Sequence, residues 1–298
     1  MIRVVDNADT IRMGLVTAAV VNTLLISAMY IVAALGFAFL MNVMGFINFS
    51  HGAIYMVAGY LCYQLAVVYG LNLWLSFLLS VIIISAFGLF LEKFCFRYAT
   101  GNLDRMIIIT IAIILILENS INVTVGAYVR SLPSFAPGVL KFLGFSFAAD
   151  KLLTFVIGGV LLIVVIWFTK HTKYGLQMQA VSQNIEGAAL QGINVHRVSA
   201  LACAMACGMA AVAGCLMGAL FNLSAFMGDN MLVKALELVI LGGIGSIVGI
   251  LFAGLLIGGI DAIVPLYSSG AMGQAIGLAI IIIILLFRPQ GFFGREFE

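Results

Sequence analysis

Apolar runs follow one another through this chain near residues 14–40, 52–69, 73–91, 106–117, 152–169, 199–221, 247–263 and 271–287. Most are long enough for a helix to cross the hydrocarbon core of a bilayer, which takes roughly 20 residues. In hydrocarbon every backbone N–H and C=O must pair within the protein, so only helices and closed barrels can span it. A barrel would show segments of about 10 residues with alternating hydrophobicity, and these runs do not alternate. The expected fold is therefore all-α: a polytopic transmembrane helical bundle forming one domain over 1–298. Composition agrees. Of 298 residues, 64% are hydrophobic and 9% charged, against about 25% charged in a soluble domain, and the mean hydropathy is +1.21.

Charge then orients the bundle. Lys93, Arg97 and Arg105 fall in one loop, Lys170, Lys173 and Arg197 in a second, and Arg288 and Arg295 in the tail. The positive-inside rule puts these on the cytoplasmic side. The loop 126–151 is then external despite Arg130, Lys141 and Lys151, and its "LPSFAPG" suits an ordered turn. Between 228 and 247 the chain carries Asp229, Lys234 and Glu237 in an otherwise apolar stretch. If 230–241 crosses as a short or broken helix, the tail returns to the basic side, giving eight or nine crossings. The net charge of +2 and the lack of basic runs set nucleic acid aside. No cleaved signal is expected from "MIRVVDNADTIRMG". Of five cysteines, Cys203, Cys207 and Cys215 share one apolar run with no His or carboxylate near. They read as small packing residues, and neither a metal nor a cofactor is expected. Ala210, Gly214 and Gly218, and again Gly254 and Gly258, recur four apart, a spacing that lets helix backbones approach closely in lipid.

Two polar, glycine-flanked segments interrupt the apolar pattern, "MGFINFSHG" and "LGGIGSIVG". Irregular backbone at membrane depth must be buried in protein or line a cavity. Glycine-interrupted segments in two halves of a chain are a pointer to a transport route. Broken or re-entrant helices are thus expected near 41–51 and 241–249, with Asn48, Ser50, His51 and Gly52 in the first and Gly242, Gly243, Gly245 and Ser246 in the second. Asn48 or Ser50 could cap the helix that starts near Gly52. Ser50 and His51 are not a catalytic pair, because adjacent helical residues diverge and no third group orients the base. No catalytic residue is expected anywhere. Glu118, Asn119 and Asn122 end the fourth run; Glu118 and Asp261 are read as lying near span ends where water reaches, and Glu237 as the ion-pair partner of Lys234.

The loop 170–198 contains "TKYGLQMQAVSQNIEGAALQGINVHRVSAL", the most soluble-looking stretch of the chain. Ser182 or Asn184 can cap a short helix there, Ala188, Ala189 and Leu190 extend it, and Gly192 followed by Ile193 stops it in the Schellman manner. Gly187, Ala188 and Ala189 leave a nearly bare surface suited to close docking of another protein.

These residues resemble the permease subunits of bacterial ABC importers for branched-chain amino acids, of the high-affinity leucine/isoleucine/valine type. The early family motif is matched by Gly45, Ile47, Asn48, Phe49, Ser50, His51, Gly52, Tyr55 and Met56, and the cytoplasmic Glu-Ala-Ala element by Glu186, Ala188, Ala189, Gly192, Ile193, Asn194, Val195, Arg197 and Val198. "LGGIGS" and "RPQGFFG" look like further signatures in the same order. Gly187 departs from the usual alanine, and Val248 from a common proline. The resemblance implies translocation of branched-chain or related small amino acids across the bacterial inner membrane, with Tyr55 added to the route residues. It also implies ATP-binding partner subunits docking at Glu186, Ala188, Ala189 and Gly192, a second homologous permease subunit, and a periplasmic substrate-binding protein. The sequence itself lacks any G-x-x-x-x-G-K-[ST] phosphate loop, so ATP hydrolysis belongs to a partner. Two other readings stay open: the same fold carrying urea or short amides, and an ion-coupled secondary transporter using Glu118 and Asp261.

Overall fold

A computed structural model describes residues 2–126, 128–142 and 145–294. Arg295 lies outside them. The described elements run α1 (Ile2–Met44), α2 (His51–Tyr63, prolonged by a π-helical turn, Gln64–Val68), α3 (Leu73–Phe94) and α4 (Leu103–Thr124). A hairpin of β1 (Val139–Phe142) and β2 (Phe145–Ala148) follows, then α5 (Ala149–His171), α6 (Lys173–Gln183) and α7 (Ile185–Leu190). The chain closes with α8 (Val195–Leu220), α9 (Met227–Gly242), α10 (Ile247–Ile263) and α11 (Gly270–Phe287).

Among the described residues, eight helices are long and apolar enough to cross a membrane, at 17–44, 51–68, 73–98, 103–124, 149–171, 195–220, 247–266 and 270–287. They coincide with the eight apolar runs, so the all-α polytopic bundle is what the chain forms. The protein is a multi-pass membrane protein. α9, with 16 residues, is too short to cross alone at 1.5 Å per residue.

Helix starts follow side-chain caps. Asn72 accepts from the N–H of Trp74 at 2.9 Å, Asn102 from Arg105 at 3.0 Å and Asn194 from Arg197 at 3.1 Å, each satisfying a donor that an α-helix leaves unpaired. The loop between α4 and α5 is ordered as expected. The antiparallel hairpin in it, with Phe142 opposite Phe145, went unforeseen because its two strands are only four residues each.

α1 and α8 form the centre. α1 packs on α8, α10, α5 and α9, while α8 also packs on α2 and α3. Their small residues explain the closeness. A side chain at Gly214 would run into the Tyr55 carbonyl of α2, and one at Gly36 would come within 2.7 Å of the Ala206 carbonyl of α8. Cys203, Cys207 and Cys215 are buried and free, as packing residues should be. α4, α5 and α11 lie outermost, exposing aliphatic side chains such as Ile116, Ile163 and Ile282.

Candidate functional site

The break after α1 is the first feature of the site. Gly45, at φ 70°, ends α1 with a backbone that L side chains rarely adopt. Asn48 then folds its side chain over the turn, its Oδ1 accepting from the N–H of Ser50 at 3.1 Å and from Ser50 Oγ at 2.6 Å. Ser50 is the residue before α2 but makes no side-chain cap, so Asn48 alone meets the capping expectation, as an Asx turn. His51 opens α2 and returns to the middle of α1: Nε2 lies 3.4 Å from the Ala33 carbonyl and the ring meets Phe37 edge-on at 5.8 Å. Asn48, Ser50 and His51 are all buried. Residues 45–50 therefore re-enter the bundle, and α2 begins inside it.

A second interrupted helix meets the first there. Gly52 and Gly228 lie backbone to backbone, and a methyl group on either would strike the other's carbonyl. Gly228 stands in the first turn of α9. Leu223, just before it, bridges to Arg130 through two backbone hydrogen bonds of 3.0 and 2.8 Å, pinning the inward-turning segment. Two part-length helices thus start from one point and run apart. The helix is broken near 41–51 and again at 243–246, between α9 and α10, as expected; the segment that meets Gly52 is a further one, at 221–228.

The glycines of "LGGIGSIVG" do something else. Gly243 and Gly245 have φ of 92° and 84°, and they turn the chain from α9 into α10 at the end of the bundle, where Gly245 adjoins the Asn42 side chain. Ser246 caps α10, accepting from Gly249 N–H at 3.0 Å. Gly242 packs against Gly249. The segment after α11 folds over this turn: the N–H groups of Phe292 and Phe293 donate to the carbonyls of Leu241 and Gly242 at 2.8 and 3.1 Å, and Phe293 stacks on Phe252 at 5.3 Å. Gly242, Gly243, Gly245 and Ser246 are therefore not brought together with Asn48, Ser50, His51, Gly52 and Tyr55.

At the same end, α6 and α7 lie across the bundle. Thr172 caps α6 through Gly175 N–H at 3.0 Å, and Asn184 caps α7 through Gly187 N–H at 2.7 Å. Gly192, at φ 82°, closes α7 with the two bonds of a Schellman stop, Gly192 N–H to Ala189 and Ile193 N–H to Ala188, at 3.0 and 3.1 Å, as the sequence predicts. Ser182 bonds to Gln179 of its own helix instead. Ala188 faces inward, while Glu186 and Ile185 are exposed and Leu190 is 90% exposed. A cleft of about 280 Å³ separates α7 from the end of α1, lined by Val43, Met44, Gly45 and residues 181–186.

Buried charge is the part of the site that sequence reasoning missed. Lys234 Nζ lies 3.0 Å from both Glu237 Oε2 and Asp261 Oδ2, and Tyr30 OH donates to Asp261 at 2.8 Å. Glu237 pairs as expected. Asp261 does not sit in water near a span end: its side chain is 11% exposed and ties α10 to α9 and α1. Glu118 is 9% exposed and its carboxyl neighbours that of Asp229, so it too is enclosed rather than solvated. Spacing along the chain gave no signal for Lys234 and Asp261, which are distant in sequence. Among the described residues no group of three His, Cys, Asp or Glu is placed to hold a metal.

The profile of the family described as "Branched-chain amino acid transport system / permease component" matches residues 19–285. The high-affinity branched-chain amino acid transport system permease protein LivH of Salmonella typhimurium is 29% identical over 290 residues, 92% of this chain and 94% of that one. Its counterpart BraD of Pseudomonas aeruginosa is 28% identical over 291 residues, again 92% and 94%. Among solved structures, "PsaBC from Streptococcus pneumoniae in complex with Fab" matches with a TM-score of 0.52 at 12% identity, covering 95% of this chain and 96% of that one, a likeness of fold alone.

Proposed function

Since the chain belongs to the permease-component family of branched-chain amino acid transport systems, we propose that it is the membrane-spanning subunit of an ATP-driven importer that carries branched-chain or related small amino acids across a bacterial inner membrane. The observation that carries the ATP-driven reading is α7. A capped and stopped helix of six residues, with Leu190 and Ile185 exposed beside a cleft that reaches the end of α1, is a ready ledge for an ATP-binding partner. Glu186, Ala188, Ala189 and Gly192 are its coupling residues. Pushing on α7 moves α1 where the chain breaks into 45–50, so nucleotide-driven closure can rock the part-length helices against each other and alternate access to the route. A second homologous permease subunit completes the route, and a periplasmic binding protein supplies the amino acid. The whole chain acts as one permease domain.

Asn48, Ser50, His51, Gly52 and Tyr55 form the deep part of this machinery and Gly242, Gly243, Gly245 and Ser246 its end, where α9 turns into α10. Of the two, the first segment acts by holding the broken helix in shape, since its polar atoms point into the protein.

The reading is tested by uptake of labelled leucine into vesicles carrying the assembled complex. Uptake that requires ATP and the partner ATPase, and persists with a proton uncoupler, supports it; collapse on uncoupling transfers the chain to the ion-coupled class. Competition by isoleucine and valine but not urea or acetamide supports the amino-acid substrate, and the opposite pattern replaces it with amides.

A further inference from the structure

The depth of the two part-length helices has a chemical consequence at Asp229. His51 lies against Ala33 and Gly36 of α1, and Gly36 against Ala206 of α8. Ala206 is in the middle of α8, so the meeting of Gly52 with Gly228 falls at mid-bundle. The next two residues, Asp229 and Asn230, are exposed, and Asp229 reaches Glu118 of α4. A carboxylate turned towards hydrocarbon at that level is expensive, and such groups face a bundle interior or a water-filled cavity.

Other exposed polar side chains nearby have an escape that Asp229 lacks. Ser120 and Thr124 of α4 donate their hydroxyls to carbonyls of their own helix at 2.6 and 2.7 Å, a pairing that survives in lipid. A carboxylate has no donor to turn back on its own helix, and the Glu118 carboxyl beside it brings no positive charge, so even a proton shared between the two leaves one negative charge on the pair. Lys234, the cation nearest along α9, is already shared between Glu237 and Asp261. The faces that do meet lipid look different: α11 presents Ile282, Ile283 and Leu286.

We propose that the surface carrying Asp229 and Asn230, backed by the enclosed Glu118, is a wall of the water-filled translocation route. The inference deepens the permease reading and rests on it. The wall is anionic, which favours passage of the ammonium end of an amino acid, and it begins where α9 starts inside the bundle. The remaining wall comes from the second permease subunit, because in a single chain this surface stands open.

The experiment uses the assembled complex in proteoliposomes and a charged, membrane-impermeant thiol reagent. Asn230→Cys is compared with Ile282→Cys, the lipid-facing control, after subtracting labelling of the parent chain, whose cysteines are buried or half-buried. Charged reagents are excluded from hydrocarbon, so modification at 230 is expected to be at least about tenfold faster than at 282. Equal, slow rates at both positions overturn the proposal and make this face a lipid or subunit contact. A second arm measures leucine uptake in Asp229→Asn with the complex still assembled: a severalfold loss is expected, and unchanged uptake removes the carboxylate from the route. Failure of the permease reading is separate, since it would appear as no ATP-dependent uptake by the parent complex whatever the labelling shows.

Discussion

At the scale of residues, two buried groups define what the interior must satisfy. His51 is wedged between Phe37 and the Ala33 carbonyl, and Asn48 alone shapes the turn before it. His51→Ala or Asn48→Ala is expected to impair uptake with the complex still assembled, read by co-purification beside transport; normal uptake in both variants reduces the segment to a cap. Lys234 sets a sharper condition, as it compensates Glu237 and Asp261 at once. Lys234→Met leaves both carboxylates buried without a cation, a class of change that costs about 3–5 kcal/mol. Its thermal unfolding in detergent should shift down clearly, and Lys234→Met/Asp261→Asn should recover part of the loss. The polar character of 45–52 was legible because glycines and hydrogen-bonding side chains stand out in an apolar run. The Lys234–Asp261 pair was not, because no spacing rule links residues on separate helices.

At the scale of elements, hydropathy located the eight long helices because their burial in lipid needs only length and apolarity. The short helix expected at 230–241 is α9 (Met227–Gly242), although Asp229, Lys234 and Glu237 lower its hydropathy; what hydropathy could not show is that it starts inside the bundle. The segment Phe221–Gly228 follows the apolar run 199–221 with no signal of its own, and its re-entry rests on the Leu223–Arg130 bridge, a contact invisible along the chain. Conversely, "LGGIGS" looked like a second interruption at depth; glycines with positive φ mark any tight turn, and here the turn is at the bundle's end. α7 was legible in full, since a cap and a Schellman stop are local codes. Its surface carries a prediction. Glu186→Arg, or Gly192→Trp at φ 82°, should leave the membrane bundle assembled and yet separate ATP hydrolysis from uptake, measured as substrate moved per ATP consumed. Normal coupling in either variant sinks the docking assignment.

At the scale of the whole molecule, the arrangement fixes which ends lie together. The loops with Lys93, Arg97, Lys170 and Arg197 and the residue Arg288 belong to the end that holds α6 and α7, while the hairpin and Tyr128 belong to the opposite one. With the basic end in the cytoplasm, Tyr128→Cys should react with an impermeant thiol reagent added outside a cell whose outer membrane has been opened. Leu190→Cys should react only after the inner membrane is permeabilised. The reverse pattern inverts the protein. Both positions are well exposed, at 77% and 90%, so a failure to label would not stem from burial.

The fold of residues 289–294 over the last turn of α9 also bears on the order in which the molecule can be built. α9 is too short to stay in a bilayer unaided, and the carbonyls of Leu241 and Gly242 accept from the N–H groups of Phe292 and Phe293, about fifty positions later in synthesis. A nascent chain halted after α10 would hold a half-inserted helix with an open end. The ribosome must therefore deliver nearly all of this polypeptide before its shortest membrane helix can settle, which makes late truncations more damaging to biogenesis than their length suggests.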